Sequence, residues 1–150
     1  MTSTVTIHDE ALIREVLAGQ EQAMRARDVA ALVARFTPDA VTFSLAPPLR
    51  QPAGQARDAD ALRAWFAGFE GSLDYEIRDL EVTVGGDVAF CHSLNRLSAT
   101  PRGMTDRFDL WFRSTVCLRK VAGGWLVAHE HMSTPFHMDG SMRAAVELRP

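Results

Sequence analysis

Two cysteines, Cys91 and Cys117, are too few for a disulfide-stapled scaffold, and both sit inside strand-like runs. They read as small, reduced core residues, and a cytoplasmic setting is expected with them. No basic run is present. The chain has 16 basic residues against 19 acidic ones and a formal charge of −3, which argues against nucleic acid as its main partner. No apolar stretch approaches the roughly 18 residues of a membrane span, so no membrane partner is expected. The opening Met1 to Glu10 is polar and acidic and lacks the apolar region of a signal peptide. Also missing are the G-x-S-x-G, phosphate-loop and dinucleotide-binding patterns. No serine or cysteine has a convincing nucleophile constellation, and no cofactor is expected. No internal repeat, low-complexity segment or linker divides the chain, so residues 1–150 are expected to form one domain.

What is present is a chain of 150 residues, 47% of them hydrophobic, enough to bury a core without staples. Ile13, Val16, Leu17 and Met24 recur at helical spacing and predict a first helix from about Asp9 to Arg27. Gln20 lies on the same stripe, either as a helix-edge residue or as a polar group aimed into a cavity. Asp28 reads as the N-cap of a short second helix, Val29 to Phe36, broken by Pro38-Asp39. Val41 to Leu45 reads as a short strand, and Ala46 to Gly54, with three prolines, as a loop. Asp58 or Asp60 is placed to cap a third helix reaching about Phe69. Its stripe, Leu62, Trp65, Phe66 and Phe69, packs inward, with Trp65 as a candidate cavity wall.

From Tyr75 the period changes to two. Strand-like runs follow near Tyr75–Val84, Val88–Thr100, Thr105–Lys120 and Trp125–Thr134, joined by short Gly-containing connections. Helices first and an antiparallel meander last predict an α+β fold with three N-terminal helices packed on a curved, mainly antiparallel sheet. Residues from about 137 to 150 are expected to form a tail on the surface or at an interface.

The third run is plainly more apolar at even positions, Phe108, Leu110, Phe112, Val116 and Leu118, with Ser114 among them. A type I turn over Lys120 to Gly123, with Gly123 as the bulge residue, sets Ser114 against Glu130 and Phe112 against Met132. The same even register on the other side sets His92, Leu94 and Arg96 beside Ser114, Phe112 and Leu110. Polar groups thus gather on an apolar face: His92, Arg96, Ser114 and Glu130. They form a closed network, line a cavity, or sit at an open end of the sheet in water. The cavity reading makes them a catalytic set, with Gln20, Trp65, Phe90, Leu94, Phe112 and Met132 as ligand-binding neighbours. A carboxylate in such a place is suited to acid/base work. His129 and His131 fall on the other face with Asp109, the one obvious third ligand. A metal site is not expected there, and a face for dimer packing is preferred.

The order helix, helix, strand, Pro-rich loop, helix and four long strands resembles the NTF2-like superfamily. That group includes ketosteroid isomerase, SnoaL-like polyketide cyclases and the association domain of calmodulin-dependent kinase II. The stretch Asn95-Arg96-Leu97 through Gly123-Gly124-Trp125, Val127, His129, His131 and Ser133 resembles the kinase association domain and SnoaL-like proteins. The resemblance implies a cone-shaped fold, a pocket between sheet and helices, and a homodimer. It matches Arg96 to a pocket arginine of the association domain, while Val116 and Met132 stand where others would be. Against ketosteroid isomerase, Ser44 stands near the base aspartate, Gln20 near the oxyanion-hole tyrosine, and Thr115 or Val116 near the second acid, so steroid isomerisation is not expected. The resemblance implies a cofactor-independent isomerase or cyclase acting on a small, apolar, carbonyl-containing molecule. A non-catalytic ligand-binding or homo-oligomerisation module is the alternative.

Overall fold

A computed structural model describes residues 3–150, so the first two residues of the polar N-terminal stretch lie outside the described residues. Helix α1 spans Thr4–Ala26. It begins earlier than apolar periodicity predicts because the Ser3 hydroxyl accepts the Thr6 amide at 3.2 Å and caps the N-terminus. Its buried stripe, Ile13, Leu17, Ala23 and Met24, also carries Asp9 and Gln20 inward. Arg27 ends it in the left-handed conformation. Helix α2, Val29–Ala34, is capped by Asp28, whose carboxylate accepts the Ala31 amide at 3.0 Å.

Strand β1 spans Phe36–Phe43 and runs through Pro38-Asp39, where the sequence predicted a break. A proline is tolerated there because β1 is an edge strand and the pairing shifts between Phe36 and Val41. After the Pro-rich loop, a 3₁₀ turn covers Gln55–Arg57. Helix α3, Ala59–Ala67, starts at the Asp58 cap. Four strands complete the chain: β2 (Phe69–Gly85), β3 (Val88–Pro101), β4 (Phe108–Val121) and β5 (Gly124–Ser133).

Among the described residues the architecture is α+β, with three α-helices and one five-stranded mixed sheet in the order β1-β5-β4-β3-β2, in which only β1 pairs in parallel, with β5. Two apolar clusters fill the space between helices and sheet. One joins Ile13 and Leu17 to Cys91, Val116, Leu118, Trp125 and Val127. The other joins Met24, Leu32 and Phe66 to Leu73, Tyr75, Leu97 and Phe112. Among the described residues, no helix is long and apolar enough to cross a membrane. The C-terminal segment folds back on itself through a bridge between Phe136 and Ala144, and Ala145 is buried.

Two registers differ from the sequence expectation. The β4–β5 connection is a two-residue hairpin, with Val121 opposite Gly124. Ala122 and Gly123 both have positive φ, the requirement of a type I′ turn, so the expected type I turn does not form. A bulge then restores the parity near the site. Cys117 pairs with His129 and Leu118 with Val127, leaving Ala128 extra. Trp125 and Val127 therefore point inward before the bulge and Glu130 after it.

The β3–β4 register is slipped by one residue, with His92 opposite Thr115 and Asn95 opposite Phe112. The inward residues of β3 are Ala89, Cys91, Ser93, Asn95, Leu97 and Ala99. The smaller of them, Ala89, Cys91 and Ala99, lie opposite Leu118, Val116 and Phe108, a complement of size that hydrophobicity alone does not reveal. Phe90, His92, Leu94 and Arg96 consequently lie on the opposite face from Ser114 and Glu130, contrary to expectation.

Candidate functional site

Glu130 is 5% exposed, the consequence of the Ala128 bulge. A buried carboxylate demands a partner, and it is Arg35, at the C-terminal end of α2. Arg35 Nη2 donates to Glu130 Oε2 at 3.0 Å, and both side chains are largely buried. The guanidinium also lies 4.3 Å from the centre of the Phe36 ring. Glu130 Oε1 makes no hydrogen bond among the described residues, so one carboxylate oxygen is fixed and the other is uncommitted.

Rows across the sheet place the neighbours. Val116 lies between Cys91 and Glu130, Ser114 between Ser93 and Met132, and Phe112 beside Asn95. Ser93 Oγ donates to Asn95 Oδ1 at 2.6 Å, and Asn95 Nδ2 donates to the Tyr75 hydroxyl at 2.8 Å. Burial, reinforced by the charge of Glu130, pushes the Tyr75 phenol above its ordinary pKa of 10.0, so it stays protonated at physiological pH. Burial likewise pushes the Cys91 thiol up to about 12, which removes it as a nucleophile.

A cleft of about 270 Å³ opens between α1, α2 and the start of β5. Glu15, Val16, Gly19 and Gln20 line one side, Ala31, Ala34 and Arg35 the other, with Trp125 at the base. Trp125 is held from behind. Its indole N–H donates to Asp9 at 3.1 Å, and Asp9 is paired with Lys120 at 3.0 Å. Those contacts, the Lys120 hydrogen bond first and the Trp125 one next, hold the Asp9 carboxyl below its ordinary value. At the cleft, Gln20 Oε1 and Arg35 Nε and Nη1 are buried with no hydrogen-bond partner among the described residues. Arg35 is therefore shared between the cleft and Glu130.

The expected site residues divide. Glu130, Ser114, Phe112 and Gln20 are buried, and Met132 packs partly buried against the second cluster. Trp65 is 40% exposed on α3 and packs edge-on against Phe66 and Phe69 rather than at the cleft. On the outer face, Phe90 is half exposed, and the largely exposed His92 ring stands 3.8 Å from Glu81. Arg96 does not reach Glu130. It binds Asp74 at 2.6 Å, Asp109 at 3.0 Å and Glu76 at 3.1 Å, and these carboxylates raise its already high pKa. Its match to a pocket arginine of the kinase association domain implied a place on the pocket face, but it lies beside Trp111 on the outer face, opposite to the face of buried Val116. The His129 ring nitrogen Nδ1 lies 2.7 Å from the Val41 carbonyl oxygen, and His131 is exposed.

Sequence reasoning missed Arg35, Tyr75, Asn95 and Ser93. The alternation Cys91, Ser93, Asn95, Leu97, Ala99 was a usable signal, because an odd set that is mostly small, with Leu97 its one large apolar member, fits under packed helices. For Arg35 the signal was weaker: a cation closing an apolar helix, its nearest acid in the sequence being Asp39, four residues on.

A family model described as the SnoaL-like domain matches residues 13–137. No curated protein matches the chain. Among solved structures, an NTF2-like protein of unknown function from Pseudomonas putida KT2440 is 29% identical over 100% of both chains, with a TM-score of 0.82. A protein provisionally named a scytalone dehydratase, from Novosphingobium aromaticivorans DSM 12444, is 17% identical with a TM-score of 0.75, covering 92% of this chain and 91% of its own. One provisionally named a calcium/calmodulin-dependent protein kinase II association domain, from Xanthomonas campestris, is 15% identical with a TM-score of 0.67, covering 81% of this chain and 84% of its own. The last two likenesses show the fold alone.

Proposed function

The chain belongs to the SnoaL-like domain family, and from that premise we propose that it is a cofactor-independent isomerase or cyclase. Its substrate is a small, mostly apolar carbonyl compound, and its chemistry is acid/base. The observation that carries this reading is the buried Arg35–Glu130 pair beside the cleft. Glu130 is the proton carrier, because one of its oxygens is anchored while Oε1 is uncommitted. Arg35, with idle N–H groups, is the group that stabilises a developing enolate oxygen. Ser114, Ser93, Asn95 and protonated Tyr75 are buried polar groups on the same face of the sheet as Glu130, and none of them lines the cleft. The active form in this reading is a homodimer.

Isomerisation of cyclohex-3-enone to its conjugated isomer provides the test, followed by ultraviolet absorbance. The step moves one proton from C2 to C4 and needs no external reductant or oxidant. The wild type is expected to accelerate it over buffer, and Glu130→Gln to lose about 10²–10⁴ of that acceleration. No acceleration by the wild type, or equal rates for the variant, would overturn the reading.

A second reading is a non-catalytic ligand-binding or homo-oligomerisation module of the kinase association-domain type. The observation favouring it is that Glu130 is only 5% exposed, is turned to its arginine and is not among the residues that line the cleft. Ligand binding without any Glu130-dependent chemistry is its signature.

A further inference from the structure

The cleft between α1 and α2 carries unused polarity of a particular kind. Its acceptor is Gln20 Oε1 and its donors are Arg35 Nε and Nη1, all buried and without partners among the described residues. Gln20 is 5% exposed, so its carbonyl oxygen cannot be left to bulk water. A ligand complementing this pair offers an acceptor to the guanidinium and an O–H or N–H donor to the amide oxygen. Contact with these atoms requires side-chain shifts at the floor, which are common on binding.

Charge narrows the class further. Arg35 is already neutralised by Glu130 at 3.0 Å. Behind Trp125, Asp9 and Lys120 cancel one another at 3.0 Å. Glu15 at the exposed rim leaves the surroundings with one surplus negative charge. A carboxylate entering here would meet Glu15 at the rim, with its attraction to Arg35 already half used by Glu130, which does not itself line the cleft. A neutral carbonyl meets no such opposition. The volume of about 270 Å³ lies just below the roughly 300–1,000 Å³ of cavities that hold drug-sized ligands. One ring fits that space, with Val16, Ala31, Ala34 and the Trp125 indole as its apolar walls.

We propose that the Gln20–Arg35–Trp125 cleft selects an uncharged, single-ring hydroxy-carbonyl compound, its carbonyl oxygen on Arg35 and its hydroxyl donating to Gln20, and that it excludes the corresponding carboxylates. This inference rests on the small-molecule reading above and specifies its substrate.

The test is calorimetric titration of the full chain with four probes: 3- and 4-hydroxyacetophenone, acetophenone and 3-hydroxybenzoate. At least one hydroxyacetophenone is expected to bind fivefold or more tightly than acetophenone, and tenfold or more tightly than 3-hydroxybenzoate. A site built to pair a hydroxyl penalises the ligand that lacks it. Gln20→Leu is expected to erase the advantage over acetophenone while leaving acetophenone affinity within about twofold. Circular dichroism of the variant confirms folding, and Gln20→Glu, which keeps the acceptor, is expected to retain the preference for the hydroxyl. Equal or tighter binding of 3-hydroxybenzoate overturns the proposed class while leaving a small-molecule site standing. Equal affinity for acetophenone and its hydroxy forms overturns it in the same way. Failure of all four probes to bind at millimolar concentration overturns both the class and the reading it rests on.

Discussion

Glu130 and Arg35 come from distant parts of the chain and meet as one buried unit. Breaking such a pair strands the other charge, at a cost of about 3–5 kcal/mol, whereas replacing both with apolar groups is often neutral. Arg35→Met should therefore lower the stability measured by urea unfolding by about that amount, and Arg35→Met/Glu130→Leu should recover most of it. A loss for the double variant equal to the sum of the losses for Arg35→Met and Glu130→Leu alone would mean the pair is not coupled. At the same scale, Cys91 is held as a thiol by burial, which pushes it up to about 12. Alkylation at pH 8 should leave Cys91 unmodified in the native protein and modify it in denaturant, as read by peptide mass spectrometry. Rapid native labelling of Cys91 would contradict its place in the core. Period-two alternation separated Glu130 from His129 and His131 correctly. It did not reveal Arg35, because the partner of a buried acid is set by tertiary approach, which has no local signature.

Elements were legible wherever a local device defines them. Asp28 and Asp58 cap their helices as their positions implied. The Gly-containing connections between β2 and β3 and between β4 and β5 are tight hairpins. Registers were not legible to the same degree. One residue of slip between β3 and β4 moved His92 and Arg96 to the outer face and brought Ser93 and Asn95 in. The polar cluster read from the sequence was therefore half correct in its members. The Ala128 bulge is the compensating device in β5, since it lets Trp125, Val127 and Glu130 all face inward. Deleting Ala128 should turn either the Trp125–Val127 pair or Glu130 outward. Each is a large burial defect, so a loss of about 3 kcal/mol or more is expected, or failure to fold. An Ala128 deletion variant with wild-type stability would show that the bulge does not set the facing of Glu130.

For the whole molecule, the helices and the sheet are tied by ion pairs that respond to acid. Lys120, with Trp125, holds Asp9 below its ordinary value of 3.8. Arg25, then Arg96, does the same for Asp74, and Arg96 does so for Glu76, whose ordinary value is 4.5. A carboxyl with a lowered pKa in the folded state stabilises above its ordinary value and loses that contribution as pH falls through the lowered one. Stability should thus be level near neutrality and fall below about pH 4. Asp9→Asn should be less stable at pH 7 and show a shallower acid decline, measured by urea midpoints across that range. A flat profile down to pH 3 would contradict these ion pairs. The layout of helices and strands was legible across nearly the whole chain, because amphipathic period and turn chemistry are local. The cleft was not, because it is formed by α1, α2 and the first residue of β5 that reaches the core, Trp125.

In the proposed reaction Glu130, steadied by Arg35, moves a proton on a carbonyl ligand. Proton NMR of the methyl group of 4-hydroxyacetophenone, in deuterated buffer with catalytic amounts of protein, follows that proton. Exchange of the methyl protons for deuterium is expected well above the buffer rate with wild type, and near the buffer rate with a folded Glu130→Gln variant. Equal exchange with both proteins, or none above buffer with wild type, would contradict it.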